Sequence, residues 1–121
     1  MADDVSAREF GCYGHPSHKT PVLDGLAKTG VMFRTCWAAP ICSPSRAMIM
    51  TGKYGFRTGW FHNSMKPAPS ERHGNLGKDN VIFAQLLKRA GYATAVAGKW
   101  QLVLMKRNPG HARELGFDRS A

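Results

Sequence analysis

The sequence predicts an α/β domain in which helices alternate with short strands of a mainly parallel sheet. Helical segments bounded by Pro and Gly alternate with short runs of β-branched and aromatic residues, which is the pattern of a layered α/β architecture. The 121 residues are enough for one small hydrophobic core. Sheets of this kind carry their chemistry at the carboxyl ends of the strands. We therefore expect functional residues in the loops that follow strands.

The first predicted elements are a helix and a strand. Thr20 as N-cap and Pro21 at the first helical position begin the helix, and Gly30 ends it. Its apolar stripe consists of Val22, Leu23, Leu26 and Ala27. Residues 31–36 are expected to form a short strand, because most of them are apolar or β-branched.

A second helix is predicted after a loop at residues 38–42. Ser43 is its expected N-cap, Pro44 its first residue, and residues 47–50 its body. Residues 62–78 are rich in Pro, Gly, Ser, Asn and charge, so they are predicted to form a long surface loop.

The last third of the chain predicts one more helix and one more strand. Asp79 is expected to cap the helix and Gly91 to close it. Its predicted buried face consists of Ile82, Phe83, Leu86 and Leu87. Residues 92–97 form a strand by their content of Tyr, Thr and Val, and residues 102–105 are a short strand or an apolar loop. No regular pattern is found beyond residues 108–110.

Composition excludes several classes of protein. The formal charge of +9 is compatible with a polyanionic partner, but the seventeen Lys and Arg residues are scattered and accompany no nucleic-acid module. No apolar run is long enough to span a bilayer, and the N-terminus lacks the pattern of a signal peptide. Three cysteines are too few for a disulfide framework. We therefore expect neither nucleic acid nor a membrane span.

The segment at residues 42–46, Cys-Ser-Pro-Ser-Arg, followed five residues later by Thr51-Gly52, indicates a reactive site. Cys42 would lie at the start of a helix, where free N–H groups and the helix dipole stabilise negative charge. Arg46 is four residues further on, so it returns to the same face. This arrangement favours an ionised nucleophile beside a bound anion. The structural alternative is a half-buried free cysteine next to a helix that begins with proline.

This segment resembles the signature of the type I sulfatases, C-x-P-S-R followed by T-G. Three further segments are similar to that family: Asp3-Asp4 with residues 11–14 (G-C-Y-G), residues 20–27 (T-P-V-L-D-G-L-A), and residues 91–94 with 98–102 (G-Y-A-T and G-K-W-Q-L). The resemblance covers residues 3 to about 118. It implies an alkaline-phosphatase-like α/β fold, of which residues 1–121 form a partial, N-terminal sulfatase domain.

The resemblance also implies a reaction. A formylglycine-generating enzyme would oxidise Cys42 to formylglycine, whose hydrate attacks the sulfur of an aryl or carbohydrate sulfate ester and releases the alcohol. Arg46 and Lys99 would hold the sulfate oxygens. Gln101 stands where the family commonly has a histidine. Glutamine can donate a hydrogen bond there, but it cannot act as an acid or a base near neutral pH.

A metal site is implied by the same resemblance. In the family the paired aspartates bind calcium, sometimes magnesium, so Asp3 and Asp4 together with the converted Cys42 are the expected ligands. Adjacent carboxylates suit a hard cation that prefers oxygen. Taken alone, an Asp-Asp pair is more often a solvated turn or a helix cap.

Sulfatases are several times longer than this chain, and their first strand has no counterpart before Asp3. The resemblance therefore implies an N-terminal fragment that is inactive on its own. Two alternatives stay open: a related phosphoester or phosphonate ester hydrolase, and a non-catalytic truncated remnant. The family is periplasmic, secreted or lysosomal, whereas the sequence itself shows no targeting signal.

Two other groups of residues are interpreted as structural. Asp79-Asn80 imitates a metal-ligand pair of sulfatases, but it precedes a helix and is expected to cap it. Four residues could be considered as zinc ligands, namely Cys12, His15, His18 and Cys36. Their C-x2-H-x2-H spacing is not a usual zinc-binding pattern, so we do not expect zinc there. The remaining histidines are expected to be exposed to solvent; they are His62, His73 and His111.

Overall fold

The computed structural model describes residues 1–61, 63, 76–103, 106 and 108–121 of the chain. These residues form two compact units, Met1–Trp37 and Ala38–Ala121. The α-helices are α1 (Pro21–Thr29), α2 (Cys42–Thr51), α3 (Gly55–Thr58), α4 (Phe83–Arg89) and α5 (His111–Glu114), and the strands are β1 (Ala95–Val96) and β2 (Arg119–Ser120). Two 3₁₀ helices, Ala7–Glu9 and Gly11–Tyr13, precede α1. Among these helices, none is long and apolar enough to cross a lipid bilayer.

In the first unit, the carboxylate of Asp24 joins α1 to the 3₁₀ helix Gly11–Tyr13. One Asp24 oxygen accepts hydrogen bonds from the Cys12 N–H at 2.7 Å and the Thr20 hydroxyl at 2.8 Å. The Thr20 oxygen in turn accepts the Gly11 N–H at 2.8 Å. A Cβ atom at Gly11 would lie 2.7 Å from the Asp24 carboxylate, so a larger residue would displace it. The predicted bounds of α1, Thr20 to Gly30, are confirmed.

One prediction for the first unit is wrong, and the apolar stripe of α1 is exposed. None of the nine residues of α1 is buried, and Val22 in the predicted apolar stripe is 82% exposed. The wrong prediction is the strand at residues 31–36, which form no strand. A strand needs a neighbour for its N–H and C=O groups. In the described part of this unit, the Phe33 carbonyl instead accepts the hydroxyl proton of Tyr13 at 2.9 Å.

In the second unit, α2 begins at Cys42, with Ile41 in the N-cap position. The prediction that Ser43 caps this helix is therefore wrong, and Pro44 is its third residue and not its first. The reason is that the Ser43 hydroxyl bonds to groups far away in sequence, described below, and not to the first turn of its own helix. Gly52 ends α2 in the left-handed conformation, with φ of +66°.

The helix predicted after Asp79 also begins later than expected. Ile82 is in the N-cap position of α4, and Ala90 followed by Gly91 ends the helix. Of the four predicted core residues, Ile82 alone is buried, and Ala84 is buried beside it. The helix therefore packs through its first turn, while Phe83, Leu86 and Leu87 are exposed.

The sheet of the second unit confirms an α/β arrangement with parallel strands. Strand β1 pairs with β2 in parallel, Ala95 with Arg119 and Val96 with Ser120. The predicted strand at residues 92–97 is thus reduced to two residues. Neither α5 nor β2 was expected from the sequence. A short strand or an apolar loop was predicted at residues 102–105. In this segment Val103 forms an isolated β-bridge, and residues 104 and 105 lie outside the described residues.

Asp118, the residue directly before β2, fixes the start of that strand. Its carboxylate accepts the Thr94 N–H and the Thr94 hydroxyl, each at 2.9 Å, and it pairs with Lys88 at 2.6 Å. The hydrophobic core of the second unit consists of Ala47, Trp60, Leu76, Ile82, Ala84, Trp100, Leu102, Ala112, Leu115 and Phe117. Most of the predicted loop at residues 62–78, including His62 and His73, lies outside the described residues.

Candidate active site

Cys42 lies at the N-terminus of α2, as the first residue of that helix, and is partly exposed. Its Sγ atom is 3.6 Å from the Lys99 ammonium and 3.6 Å from the Asn63 side-chain oxygen. Asn63 also accepts the Ser43 N–H at 3.2 Å, so it takes the place of a local N-cap, which Ile41 cannot provide. The thiol therefore has a cation, an amide and the start of a helix around it.

Arg46 joins the helix to the segment that carries Lys99. It lies one turn after Cys42, and its guanidinium donates a hydrogen bond to the Lys99 carbonyl. Lys99 is thereby held at its backbone while its ammonium contacts the Cys42 sulfur. The structure thus brings together three of the predicted site residues, each in the second unit.

The pKa of the Cys42 thiol is lowered from its ordinary value. Partial burial raises this pKa, but the hydrogen bond from Asn63, the positive charge and hydrogen bond of Lys99, and the Ser43 N–H together outweigh that effect. The site favours a negative charge on the side chain at position 42.

Ser43 connects α2 to two loops. Its hydroxyl accepts the indole N–H of Trp60 at 2.6 Å and donates to the Gln101 carbonyl at 2.7 Å. Ser43 is 1% exposed and Trp60 5% exposed, so both hydrogen bonds are shielded from water. Ser45 instead holds the loop before the helix, because its hydroxyl bonds to the backbone of Ala39 and Ile41.

Gln101 reaches the site through its backbone. Its φ is +54°, which is unusual for a residue other than glycine, and its carbonyl accepts the Ser43 hydroxyl. The Gln101 side-chain oxygen is buried and has no hydrogen-bond partner among the described residues. A group that donates a hydrogen bond there would satisfy it.

Asp3 and Asp4 lie in the first unit. Asp3 is partly buried, and Asp4 is exposed with φ of +53°. Together they offer adjacent carboxylates, a donor set that suits a hard cation.

The first unit also contains a cluster with the composition of a metal site, formed by Glu9, His15 and His18. The Glu9 carboxylate is 3.2 Å from His18 Nδ1 and 4.0 Å from His15 Nε2. The two imidazole rings are parallel and 3.7 Å apart, so their in-plane lone pairs do not converge on one ion. His15 Nδ1 accepts backbone N–H groups of residues 17 and 18, which puts its proton on Nε2. The cluster is therefore better described as two histidines paired with a carboxylate than as a metal site.

The sequence did not predict two further residues of this region. Asn63 belongs to a stretch rich in turn-forming residues, where nothing in the sequence distinguishes it. His111 was expected to be exposed, but it is 1% exposed, and its ring bonds to Trp100 and to the Leu76 carbonyl. The burial of His111 depends on its contacts with Trp100 and Leu76, which a local sequence pattern does not show.

A thiol at a helix N-terminus, with a lysine and an arginine beside it, defines a site for an anionic group in an α/β protein. The family model for sulfatases matches residues 1–121, so the chain belongs to the sulfatase family. This confirms the resemblance that the motifs indicated.

Several curated relatives agree with this assignment. The chain is 39% identical to N-acetylgalactosamine-6-sulfatase of Sus scrofa and 41% identical to steryl-sulfatase of Mus musculus, over 98% of its own length in each case. It is 42% identical to human arylsulfatase A over 84% of its length. These alignments cover 23%, 20% and 20% of the relatives, so the chain spans about a fifth of their length.

Proposed function

We propose that this protein is a sulfuric ester hydrolase whose nucleophile is formed from Cys42 by oxidation to formylglycine. The observation that supports this most directly is the position of Cys42 at the start of α2, 3.6 Å from the Lys99 ammonium. The residues would work on an alkaline-phosphatase-like α/β fold, of which the parallel pair β1 and β2 is a part.

The charges of the site suit a sulfate ester. The Lys99 ammonium and the N–H groups of the first turn of α2 would bind sulfate oxygens and stabilise the charge that develops in the transition state. Arg46 keeps the Lys99 backbone in place and adds a second positive charge beside residue 42. The hydrated formylglycine would supply the attacking oxygen.

The relatives are named for an N-acetylgalactosamine, a steryl and an aryl sulfate, so they differ in the alcohol part of the substrate. The residues around Cys42 would contact the sulfate group, which these substrates share. We therefore propose sulfate esters as the substrate class, and among them the aryl and carbohydrate sulfates predicted from the sequence.

We further propose Asp3 and Asp4 as ligands of calcium, with magnesium as the alternative. Their adjacent carboxylates fit a hard cation, which would supply positive charge that favours ionisation of a hydroxyl nucleophile. The additional ligand predicted at position 42 stays a prediction, and it would require the oxidised residue, because a thiol is a soft ligand.

Gln101 is proposed to donate a hydrogen bond and not to transfer a proton. Its amide carries no charge at neutral pH, and its buried side-chain oxygen has no hydrogen-bond partner among the described residues. Any step that needs an acid or a base near residue 42 would then have to use another group.

The test is to express the chain with an active formylglycine-generating enzyme and to analyse the peptide of residues 35–46 by mass spectrometry. We expect conversion of Cys42, because the segment recognised by that enzyme is complete and partly exposed at the start of α2. Cys36, in the same peptide but outside the C-x-P-S-R motif, is the internal control and should keep its thiol. An unmodified thiol at position 42 despite an active enzyme would contradict the proposal.

A comparison of inorganic sulfate with inorganic phosphate addresses the phosphohydrolase alternative. Binding of inorganic sulfate and phosphate to the converted chain can be followed by the NMR signals of Lys99. Stronger perturbation by sulfate is expected, and a response to phosphate alone would favour the alternative.

A further inference from the structure

His111 makes two hydrogen bonds in the core of the second unit. Its Nδ1 atom is 3.0 Å from the indole nitrogen of Trp100, and its Nε2 atom is 3.0 Å from the Leu76 carbonyl. The indole N–H can only donate, so Nδ1 must accept and the imidazole proton must lie on Nε2. Nε2 then donates to the Leu76 carbonyl. The two partners therefore define one neutral tautomer.

These contacts hold the segment that carries Lys99. Trp100 is 7% exposed and its ring packs edge-on against Phe117, with centroids 5.9 Å apart. Leu76 accepts the His111 hydrogen bond through its carbonyl and donates its own N–H to the Leu102 carbonyl at 2.8 Å. His111 thus fixes residues on both sides of Gln101, through Trp100 directly and through Leu76 indirectly.

Lys99 directly precedes Trp100 in the chain. The Lys99 ammonium lies 3.6 Å from the Cys42 sulfur, at the end of a four-carbon side chain whose reach is measured from the backbone. The position of the Lys99 backbone therefore decides whether the ammonium reaches residue 42. That position depends on the guanidinium of Arg46 on one side and on the anchored Trp100 on the other.

We propose that His111 is a positioning residue for the site at Cys42: its neutral imidazole holds Trp100 and thereby keeps the Lys99 ammonium beside residue 42. This inference deepens the proposed sulfatase function, since the charge on Lys99 is the one expected to bind the sulfate group. His111 itself does not touch the reacting atoms.

The environment of His111 favours the neutral form. Burial lowers its pKa; the Leu76 carbonyl and the Glu114 carboxylate oppose this effect, and the charge of Lys78 adds to it. Glu114 and Lys78, which form an ion pair at 3.2 Å, are the charged groups acting on the ring. A protonated imidazole would place an Nδ1–H against the indole N–H, which leaves two buried donors facing each other.

The test measures the positive charge beside Cys42 in the unconverted chain. Iodoacetate, an anion, and iodoacetamide, which is neutral, both alkylate the thiolate. The ratio of the iodoacetate rate to the iodoacetamide rate therefore does not depend on the fraction of thiolate, and a nearby positive charge raises it. Peptide mass spectrometry at pH 7.5 gives this ratio for Cys42 and, in the same sample, for the exposed Cys36. Lys99→Ala supplies the value expected when the ammonium is absent.

Two amide variants separate positioning from mere stability. In His111→Asn the amide oxygen can replace Nδ1 as acceptor for Trp100, whereas in His111→Gln the amide nitrogen can replace Nε2 as donor to Leu76. Both variants lose part of the imidazole and one of its bonds. We expect His111→Asn to keep the wild-type ratio. His111→Gln should lower it about two- to fivefold at Cys42, towards the Lys99→Ala value, as expected for one charge moved out of contact in a largely aqueous site.

Equal ratios for the folded Asn and Gln variants would overturn the proposal. A second measurement needs no variant: NMR of the histidine nitrogens in the wild-type chain should show His111 neutral at pH 7.5, with its proton on Nε2. A proton on Nδ1 would also overturn the proposal. Neither measurement uses formylglycine or ester turnover, so failure of the sulfatase proposal would be seen separately.

Discussion

Replacing Ser43 by alanine should destabilise the second unit through two hydrogen bonds at once. The Ser43 hydroxyl is the partner of the Trp60 indole N–H at 2.6 Å and of the Gln101 carbonyl at 2.7 Å. Alanine would leave both groups without this partner, at a cost of about 1–3 kcal/mol for each. We expect the free energy of unfolding to fall by about 3 kcal/mol in total, a large part of the stability of a typical domain.

Urea unfolding followed by circular dichroism measures this change. With a slope of about 1–3 kcal/mol per molar urea, the midpoint should fall by about 1–3 M. Trp60→Phe completes a double-mutant cycle, because it removes the N–H that Ser43 satisfies. Ser43→Ala should therefore cost about 1–2 kcal/mol less in the Trp60→Phe background. The exposed Ser17→Ala is the matched control and should change stability by less than about 0.5 kcal/mol.

The reasoning would be refuted by a loss below about 0.5 kcal/mol for Ser43→Ala. It would equally be refuted if the substitution cost the same in both backgrounds, since the Trp60 bond would then contribute nothing.

Two further predictions concern the carboxylates. Calcium should bind this chain only weakly, with a Kd above about 1 mM, because Asp3 and Asp4 supply few of the six to eight oxygens that calcium prefers. Calorimetry against the double variant Asp3→Asn/Asp4→Asn measures this, and micromolar, stoichiometric binding would contradict it. The pKa of Asp118 is lowered from 3.8 to about 2, first by Lys88 and then by the bonds to Thr94. Its folded-state pKa lies below the unfolded value, so its contribution to stability is present above about pH 4 and is lost as the pH falls towards 2. Between these values the urea midpoint of the wild type should fall more steeply than that of Asp118→Asn, and parallel pH profiles would show that the pairing is unimportant.

The parts of the fold that follow from short-range signals were predictable. Pro21 and Gly30 bound α1 correctly, since proline favours a helix start and glycine a helix end. Cys42 and Arg46 share the first turns of one helix, which their spacing requires. Family resemblance implied only that Lys99 and Cys42 serve the same site; their contact is a finding of the structure, because nothing in the local sequence brings together residues so far apart.

The errors arose where partners distant in the sequence decide the structure. Residues 31–36 have the composition of a strand but form none in the described unit, since composition cannot supply a neighbouring strand. Strand β2 is only two residues long and exists through its pairing with β1. Ser43 has the side chain of an N-cap, yet Trp60 and Gln101 determine its role. In each case local propensity was weaker than a tertiary contact.

The left-handed backbone of Gln101 limits the amino acids that evolution or an engineer can place at this position. With φ of +54°, β-branched side chains would be strained, whereas glycine, asparagine and histidine adopt such angles more readily. The histidine that sulfatases commonly carry here therefore suits the backbone as well as the chemistry. In a library randomised at codon 101 and selected only for resistance to proteolysis, Val, Ile and Thr should disappear while Gly, Asn and His persist. The mutational freedom of position 101 would then be set by main-chain geometry, independently of any role in the proposed reaction.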